Sequence, residues 1–421
     1  MKKILLQLLQ SRAKAAIARF KPTVVAVTGS VGKTSTREAV AIALGQAFAV
    51  RTPQKNYNNE FGLPFAILGE KSPGKNPAAW LGLFLRSFKI AKYPNLLVLE
   101  YGADKRGDIG ALCDIAEPNI SVITAISPVH VANYVSLDEL ILEKLTLAMR
   151  TSNEGLVVLN ADDAMVLAMR KSITAKVLTY SVGGVADVVA SDIVIETQPV
   201  IHTRATVRAF GEESVLVLKN CLGNSAISAC LAAIAVAHQL DIKLVDAVAE
   251  LNKKMQPVPG RMNPLTGIRG SLILDDTYNA APASMRAGLE VLHAFVPQKA
   301  TMRRIAVLGK MAELGEFSKN EHEAIGRQVA SVANLFIAVG DEMKDAARAA
   351  VEAGMAPDHV LWFGTPVETG RYLDANVRPS DIVFVKGSQS ARMEKAVKDM
   401  VADPLHAAQL LVRQEAYWLR R

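Results

Sequence analysis

The chain has 421 residues, half of them hydrophobic and 21% charged, with 48 Lys and Arg against 41 Asp and Glu for a formal net charge of +7. That length exceeds what one hydrophobic core organises and predicts two or three domains. The basic surplus suits an anionic substrate or a membrane surface, but it is too diffuse, and too poor in aromatics beside Lys/Arg clusters, for nucleic-acid binding. No apolar run reaches the roughly 18 residues of a membrane span. Cys113, Cys221 and Cys230 have neither metal-ligand spacing nor a disulfide pattern, and the chain reads as cytoplasmic.

Residues 1–22 read as a basic amphipathic helix. Ile4, Leu5, Leu8, Leu9 and Ile17 favour one side, and Lys2, Lys3, Arg12, Lys14 and Arg19 supply charge. Two readings stay open for it: a strap packed on the first domain, or attachment to an anionic membrane face at the inner side of a membrane. The start resembles a signal peptide, but Gln7, Gln10 and Arg12 break its apolar stretch early.

Four apolar residues, 24–27, then predict a buried parallel strand, followed by Gly29, Ser30, Val31, Gly32, Lys33, Thr34 and Ser35 and a helical pattern to about Phe48. Strand, glycine loop and helix in that order place backbone N–H groups and a helix N-terminus around an anion. Lys33 would reach terminal phosphates and the Thr34 hydroxyl would hold Mg²⁺. Val27 stands where the longer Walker pattern has Gly, leaving the shorter GxxGKT form.

Residues 55–64, KNYNNEFGLP, predict an ordered loop, because Asn tolerates left-handed backbone and bonds its own main chain. Residues 78–94 predict a helix with Trp80, Leu81, Phe84, Leu85 and Phe88 on an apolar face beside Arg86, Lys89 and Lys92; core packing and a lipid or partner surface are both open. Strands at 96–99, 120–125 and 156–159 alternate with helical stretches, which predicts a parallel α/β sheet with ligands beyond its carboxyl ends. Glu100 and His130 follow two of those strands and should face the nucleotide. Glu100 suits Mg²⁺, a hard cation that takes carboxylate oxygen. His130 could ligate metal or be a structural histidine, and Lys144, fourteen residues on, would by itself be a helix-surface lysine.

Residues 188–218 predict two or three antiparallel strands, and 224–238 an Ala-rich buried helix. Two prolines and a glycine at 256–262 mark a boundary. Strands at 272–274, 305–308, 335–339, 360–363 and 382–385 then predict a second α/β domain. The expected architecture is α/β: an N-terminal helix (1–22), a central P-loop ATPase domain with a parallel sheet and antiparallel extension (23–257), and a smaller Rossmann-like C-terminal domain (258–421).

The segments VVAVTGSVGKTST, NYNNEFGLP, VLEYGAD, the His130/Lys144 spacing, LNADD, GRM, DDTYNAAPASM, MAELGEFSKNEH and VKGSQSARME occur in that order. Together they resemble the Mur ligase family, and within it the MurF branch of UDP-N-acetylmuramoyl-tripeptide–D-alanyl-D-alanine ligases of peptidoglycan synthesis. The resemblance covers about residues 23–400. It implies an ATP-dependent amide ligation through an acyl phosphate, with ATP and two Mg²⁺ ions. By that resemblance Lys33, His130 and Lys144 are catalytic, and Gly29 to Ser35, Asn160, Arg261, Asp276, Tyr278 and Asn279 hold ATP. Thr34, Glu100, His130 and a Lys144 carbamylated by CO₂ serve the metals. Asn58, Asn59, Lys386, Gly387, Ser388 and Arg392 face the cell-wall precursor and the dipeptide or amino-acid substrate.

The sequence departs from the family pattern in several places. Ala226 and Ala229 stand at the usual Asn positions near the adenine, Lys310 replaces Asp, Gln389 replaces Arg, and Leu145–Thr146 replaces Gly-Glu. The family's N-terminal UDP-binding domain of roughly 80 residues is not expected in this chain, so the same chemistry on another acceptor, a peptide polymer or a lipid-linked precursor, is kept beside the first reading. An inactive nucleotide-binding scaffold is the third. Residues 1–21 and 78–94 are the expected membrane or partner contacts.

Overall fold

The computed structural model describes residues 2–53, 57–127, 134, 136–197, 200–296 and 302–420. His130 lies outside the described residues. The first part of the chain runs α1 (Lys2–Phe20), β1 (Thr23–Thr28), α2 (Lys33–Leu44), β2 (Val50–Arg51), α3 (Gly62–Leu68), α4 (Pro77–Phe88), β3 (Leu96–Glu100), α5 (Asp108–Cys113), β4 (Ile120–Ile123), α6 (Leu137–Met149), β5 (Leu156–Asn160), α7 (Ala164–Ala168), β6 (Lys176–Val182), β7 (Val188–Glu196), β8 (His202–Ala209), β9 (Glu212–Lys219), α8 (Asn224–Gln239) and α9 (Leu244–Lys254). The second part runs β10 (Asn263–Thr266), β11 (Leu272–Asp276), α10 (Pro282–Ala294), β12 (Arg304–Gly309), α11 (Ser318–Val332), β13 (Leu335–Val339), α12 (Met343–Glu352), β14 (Val360–Phe363), α13 (Pro366–Asn376), β15 (Ile382–Lys386), α14 (Glu394–Met400), α15 (Ala407–Leu410) and α16 (Ala416–Leu419).

β1 to β9 form one sheet in the order β2-β3-β1-β4-β5-β6-β7-β8-β9. Pairing is parallel from β2 to β7 and antiparallel between β7, β8 and β9. Successive side chains of a strand point to opposite faces, so Val25 and Val27 of β1 pack under α2, α8 and α9, while Val24 and Ala26 pack under α3 and α5. A strand buried on both faces needs the continuous apolar run that β1 carries. The second sheet has the order β10-β11-β15-β12-β13-β14, parallel except for the edge strand β10.

Three strands had no clear sequence signal: the two-residue β2, β6 and β10. Thr179 and Ser181 interrupt the apolar run of β6, yet both are buried, held by the carboxylates of Asp187 and Asp162. β10 contains Pro264, which a sheet tolerates at its edge. The helices are shorter than expected: α2 stops at Leu44, ahead of Gly45, and α4 stops at Phe88, with the stretch to Pro94 outside any helix.

The face of α1 also needs correction. Its buried stripe is Leu9, Ala13 and Ala16, packed toward α3 and α4, whereas Ile4 and Leu8 are 63% and 52% exposed. The strap packs with its small residues inward, and Arg12 reaches across to donate to the Ser87 hydroxyl and carbonyl. Among the described residues no helix is long and apolar enough to cross a membrane.

Candidate active site

The chain leaves β1 at Thr28 and turns through Gly29 (φ 145°) and Gly32 (φ 88°), conformations that side chains with a Cβ rarely adopt. A Cβ on Gly29 would lie 2.1 Å from Thr124 Oγ1. The loop is seamed to the end of β4: Ser30 N donates to Ala125 O (2.7 Å), Ser30 Oγ to Ser127 O (3.1 Å), and Thr124 Oγ1 to Val31 O (2.5 Å). No side chain caps α2 at Gly32, so its first-turn amides and the dipole face the cleft that Lys33, Thr34 and Ser35 line. Lys33 Nζ donates to Gly29 O (2.6 Å) and Ser30 O (3.1 Å). Burial lowers its pKa, with Glu100 opposing and Arg261 adding to the shift.

Glu100, at the carboxyl end of β3, is the hub of this half. It is buried, and in register β3 sets it beside Val27 of β1. Thr34 Oγ1 donates to its Oε2 (3.0 Å) and Asn58 Nδ2 to its Oε1 (3.1 Å). Arg37, a buried side chain of α2, lies with Nη1 3.7 Å from Oε2; its Nη2 pairs with Glu38, while Nε and Nη1 have no hydrogen-bond partner. The two expected asparagines therefore separate: Asn58 reaches the hub, and Asn59 accepts from Gly62 N (2.8 Å) at the start of α3.

Lys144 is buried in α6, not on its surface. Burial first, and the nearby Lys33 charge second, push its pKa down to about 7. The neighbouring Glu143 accepts from Gly107 N (2.8 Å) and Ile109 N (2.6 Å), fastening the loop beyond β3 to α6. Asn160, at the end of β5, accepts from Asp162 N (3.0 Å) in a local turn, and Asp163 ties that turn to Ile126 N (2.7 Å).

The second sheet supplies the facing wall. In register Asp276 of β11 lies beside Lys386 of β15, and the two side chains form a buried ion pair. Lys386 Nζ also donates to Asn279 O (2.9 Å), and Asp276 Oδ1 accepts from Met262 N (3.1 Å). Burial raises the Asp276 pKa and the Lys386 charge opposes it. Its neighbour Asp275, buried and accepting from Thr277 and Gly260, is pushed up to about 6. Arg261 bridges the halves: its guanidinium carbon lies 4.2 Å from the Tyr278 ring centroid and Nη2 donates to Thr34 Oγ1 (3.1 Å).

Lys33, Thr34, Glu100, Arg261, Asp276 and Lys386 thus line one cavity of about 350 Å³, which the apolar Leu222, Ala226 and Val291 line as well. Of the expected residues described, Gly29, Asn59, Lys144, Asn160, Gly387, Ser388 and Arg392 sit apart from that lining. Gly387 packs against Met393 and Ser388 Oγ lies 3.2 Å from Ser390 Oγ. Arg392, with φ 57°, pairs with Glu394 and donates to Trp418 O (3.1 Å).

A family model of the Mur ligase middle domain matches residues 27–237, and one of the Mur ligase glutamate ligase domain matches residues 260–389. The chain belongs to the Mur ligase family. A UDP-N-acetylmuramoyl-tripeptide–D-alanyl-D-alanine ligase of Mycobacterium tuberculosis is 31% identical to this Mur ligase over 397 residues, covering 90% of this chain and 73% of that protein. The ligase of the same name from Escherichia coli is 28% identical, covering 89% and 76%. The crystal structure of MurF ligase from Thermotoga maritima in complex with ADP superposes with a TM-score of 0.77 at 26% identity, across 94% of this chain and 83% of that one.

Mur ligases are ATP-dependent and close an amide bond, and the donor set of this cleft suits both nucleotide and metal. The open start of α2 and the amine of Lys33 suit phosphate. The Thr34 hydroxyl and Glu100 carboxylate are oxygen donors of the kind Mg²⁺ takes. Among the described residues no group of three or more His, Cys, Asp or Glu forms a metal cage. Arg37 and Glu143 carry no signal in the sequence that would single them out; only their burial against Glu100 and the loop beyond β3 does.

Proposed function

We propose that this Mur ligase joins D-alanyl-D-alanine, or a similar amine, to the peptide carboxylate of a UDP-linked cell-wall precursor. The acceptor carboxylate attacks the γ-phosphorus of ATP, ADP leaves, and an acyl phosphate forms. The amine then attacks the activated carbonyl, loses a proton and expels inorganic phosphate. Mg²⁺, when bound, neutralises charge between the approaching anions. Lys33 and the first turn of α2 hold the phosphates, Thr34 and Glu100 serve the metal, and Asn58 orients Glu100. Arg261 carries charge to the same point from the second sheet.

The observation that supports this reading is the bond from Arg261 to Thr34, which joins the glycine-loop half and the second-sheet half at one hydroxyl. Phosphate release from ATP and Mg²⁺ tests it: turnover requires acceptor and D-alanyl-D-alanine together. Turnover that ignores either organic substrate, or that appears only with another acid and amine, rejects it.

Carbamylation of Lys144 is part of the same proposal. A neutral amine is needed to add to CO₂, and a buried lysine with a pKa of about 7 offers one near neutrality. The product is an anion beside Lys33, able to support a metal. A peripheral membrane contact is a further part. Ile4, Leu8, Leu81, Leu85 and Phe88 are exposed on α1 and α4, with Arg12 lying 3.6 Å over the Phe88 ring and Arg86 and Lys89 exposed nearby. An apolar patch with a basic rim fits an anionic bilayer surface. Flotation with anionic vesicles is expected to carry the protein upward, and protein left in the soluble fraction rejects this contact.

A further inference from the structure

Arg37 sits near the start of α2, one helical turn after Thr34 and so on the same face of the helix. It is 4% exposed. Its Nη2 pairs with the half-buried Glu38 beside it, while Nε and Nη1 have no hydrogen-bond partner among the described residues. A buried guanidinium with donors left unmade is costly, and its presence calls for a reason. The charge across from it is Glu100. Nη1 lies 3.7 Å from Oε2, too far for a hydrogen bond but within reach of the charge. Glu100 takes its hydrogen bonds elsewhere, Oε2 from Thr34 and Oε1 from Asn58, which leaves each oxygen a further lone pair. Arg37 thus opposes the charge of the carboxylate without occupying its oxygens. Two more cations lie around the same group. Arg261 donates to the Thr34 hydroxyl, and Lys33 is close enough for Glu100 to oppose the lowering of its pKa.

We infer that Arg37 is a positioning residue for Glu100, one that sets how tightly the carboxylate holds a divalent cation and keeps that hold weak until nucleotide phosphate is present. The inference rests on Glu100 as the Mg²⁺ carboxylate of the ligase reading. A divalent cation at the free lone pairs of Glu100 meets Arg37 close behind the carboxylate, with Lys33 and Arg261 nearby. Like charges repel most strongly where water is excluded. Without phosphate, the surroundings of Glu100 therefore carry a surplus of positive charge. Nucleotide phosphates at the start of α2 reverse that balance, so cation and nucleotide each strengthen the binding of the other. A hydrogen bond from Arg37 would hold Glu100 equally well, but it would fill a lone pair that the cation needs. Glu38 tunes the device: it draws on Nη2, and its removal leaves the whole guanidinium charge to Glu100. An Arg37 that only fills space or only steadies a buried carboxylate gives the opposite forecast, since without it Glu100 loses its place and the cation is held less well.

Mn²⁺ binding to the full chain tests this, read from the paramagnetic resonance of the free ion with and without ADP, the Mn²⁺ taken by ADP alone being subtracted. The wild-type chain is expected to hold Mn²⁺ at least about tenfold more tightly with ADP than without. Arg37→Met, neutral and of similar length, is expected to tighten nucleotide-free binding about tenfold and to stay within about threefold of wild type with ADP. Arg37→Lys keeps the charge and is expected to restore wild-type behaviour. Glu38→Gln, at a half-buried position that does not threaten folding, is expected to weaken nucleotide-free binding about threefold. Arg37→Met that binds Mn²⁺ no more tightly than wild type overturns the inference and leaves the ligase reading intact. Glu38→Gln with unchanged or tighter binding does the same, and it decides the question should Arg37→Met fail to fold. Glu100→Gln that binds Mn²⁺ beside ADP as wild type does overturns the metal reading, and the inference with it.

Discussion

Lys33 donates to carbonyls of its own loop, and the same amine lies at the helix start that suits phosphate. Lys33→Ala is therefore expected to lower kcat by on the order of 10²–10³-fold, since one fixed donor at developing charge contributes that much; a rate near wild type in a phosphate-release assay would remove the phosphate assignment. Lys144 makes a different prediction. Its folded pKa of about 7 lies below the ordinary lysine value of 10.5, so the unfolded chain binds more protons between those two pH values. The buried amine accordingly favours folding more as pH rises through that window, and least below its lower edge. Activity is expected to rise as pH passes about 7 and to depend on bicarbonate. Lys144→Ala should be slow and partly rescued by acetate, and an unimpaired variant would show that the lysine takes no part. The role of such a lysine was legible only through family resemblance, because in sequence it is one charged residue in an ordinary helix. Its burial, which changes its chemistry, comes from the packing of α6 under the sheet.

At the scale of the element, α1 shows where periodicity falls short. Apolar residues at 4, 5, 8, 9 and 17 suggested one face, but the helix docks through Leu9, Ala13 and Ala16, because small residues let it approach α3 closely. Leu9→Ala is expected to cost about 2–4 kcal/mol in denaturant unfolding, and Leu8→Ala less than about 0.5 kcal/mol. Equal effects would mean that α1 is not docked as described. Elsewhere the strands were readable wherever they are apolar throughout, as in β1, β3 and β5. They were not readable in β6 and β10, where buried hydroxyls and an edge proline obscure the pattern. The same limit separates Asn58 from Asn59: neighbours in sequence, one completes the Glu100 hub and the other a helix start.

At the scale of the molecule, Arg261 of the second half donates to Thr34 of the first, so on the proposed reading a nucleotide in the cleft would touch both. Mg²⁺ and ADP at about 100 times Kd are expected to add about 2.7 kcal/mol to stability. Because the ligand spans both halves, they should unfold together in calorimetry, with a melting temperature several degrees higher. Arg261→Ala should weaken that shift, and a shift unchanged by the substitution would argue that the second sheet does not contribute to nucleotide binding.

The sequence by itself determined the parts whose information is local: the strand–loop–helix order around Gly29 and Gly32, the carboxylate ending β3, and the charged residues ending β11 and β15. Each follows from a hydrophobic period and the residue that interrupts it. The tertiary structure alone decided which of these groups meet. Arg261 and Thr34 are 227 residues apart, and Arg413 reaches Thr277 and Tyr278 across more than a hundred. Such contacts depend on strand neighbours and on the docking of one sheet against another, and no window of sequence carries that information.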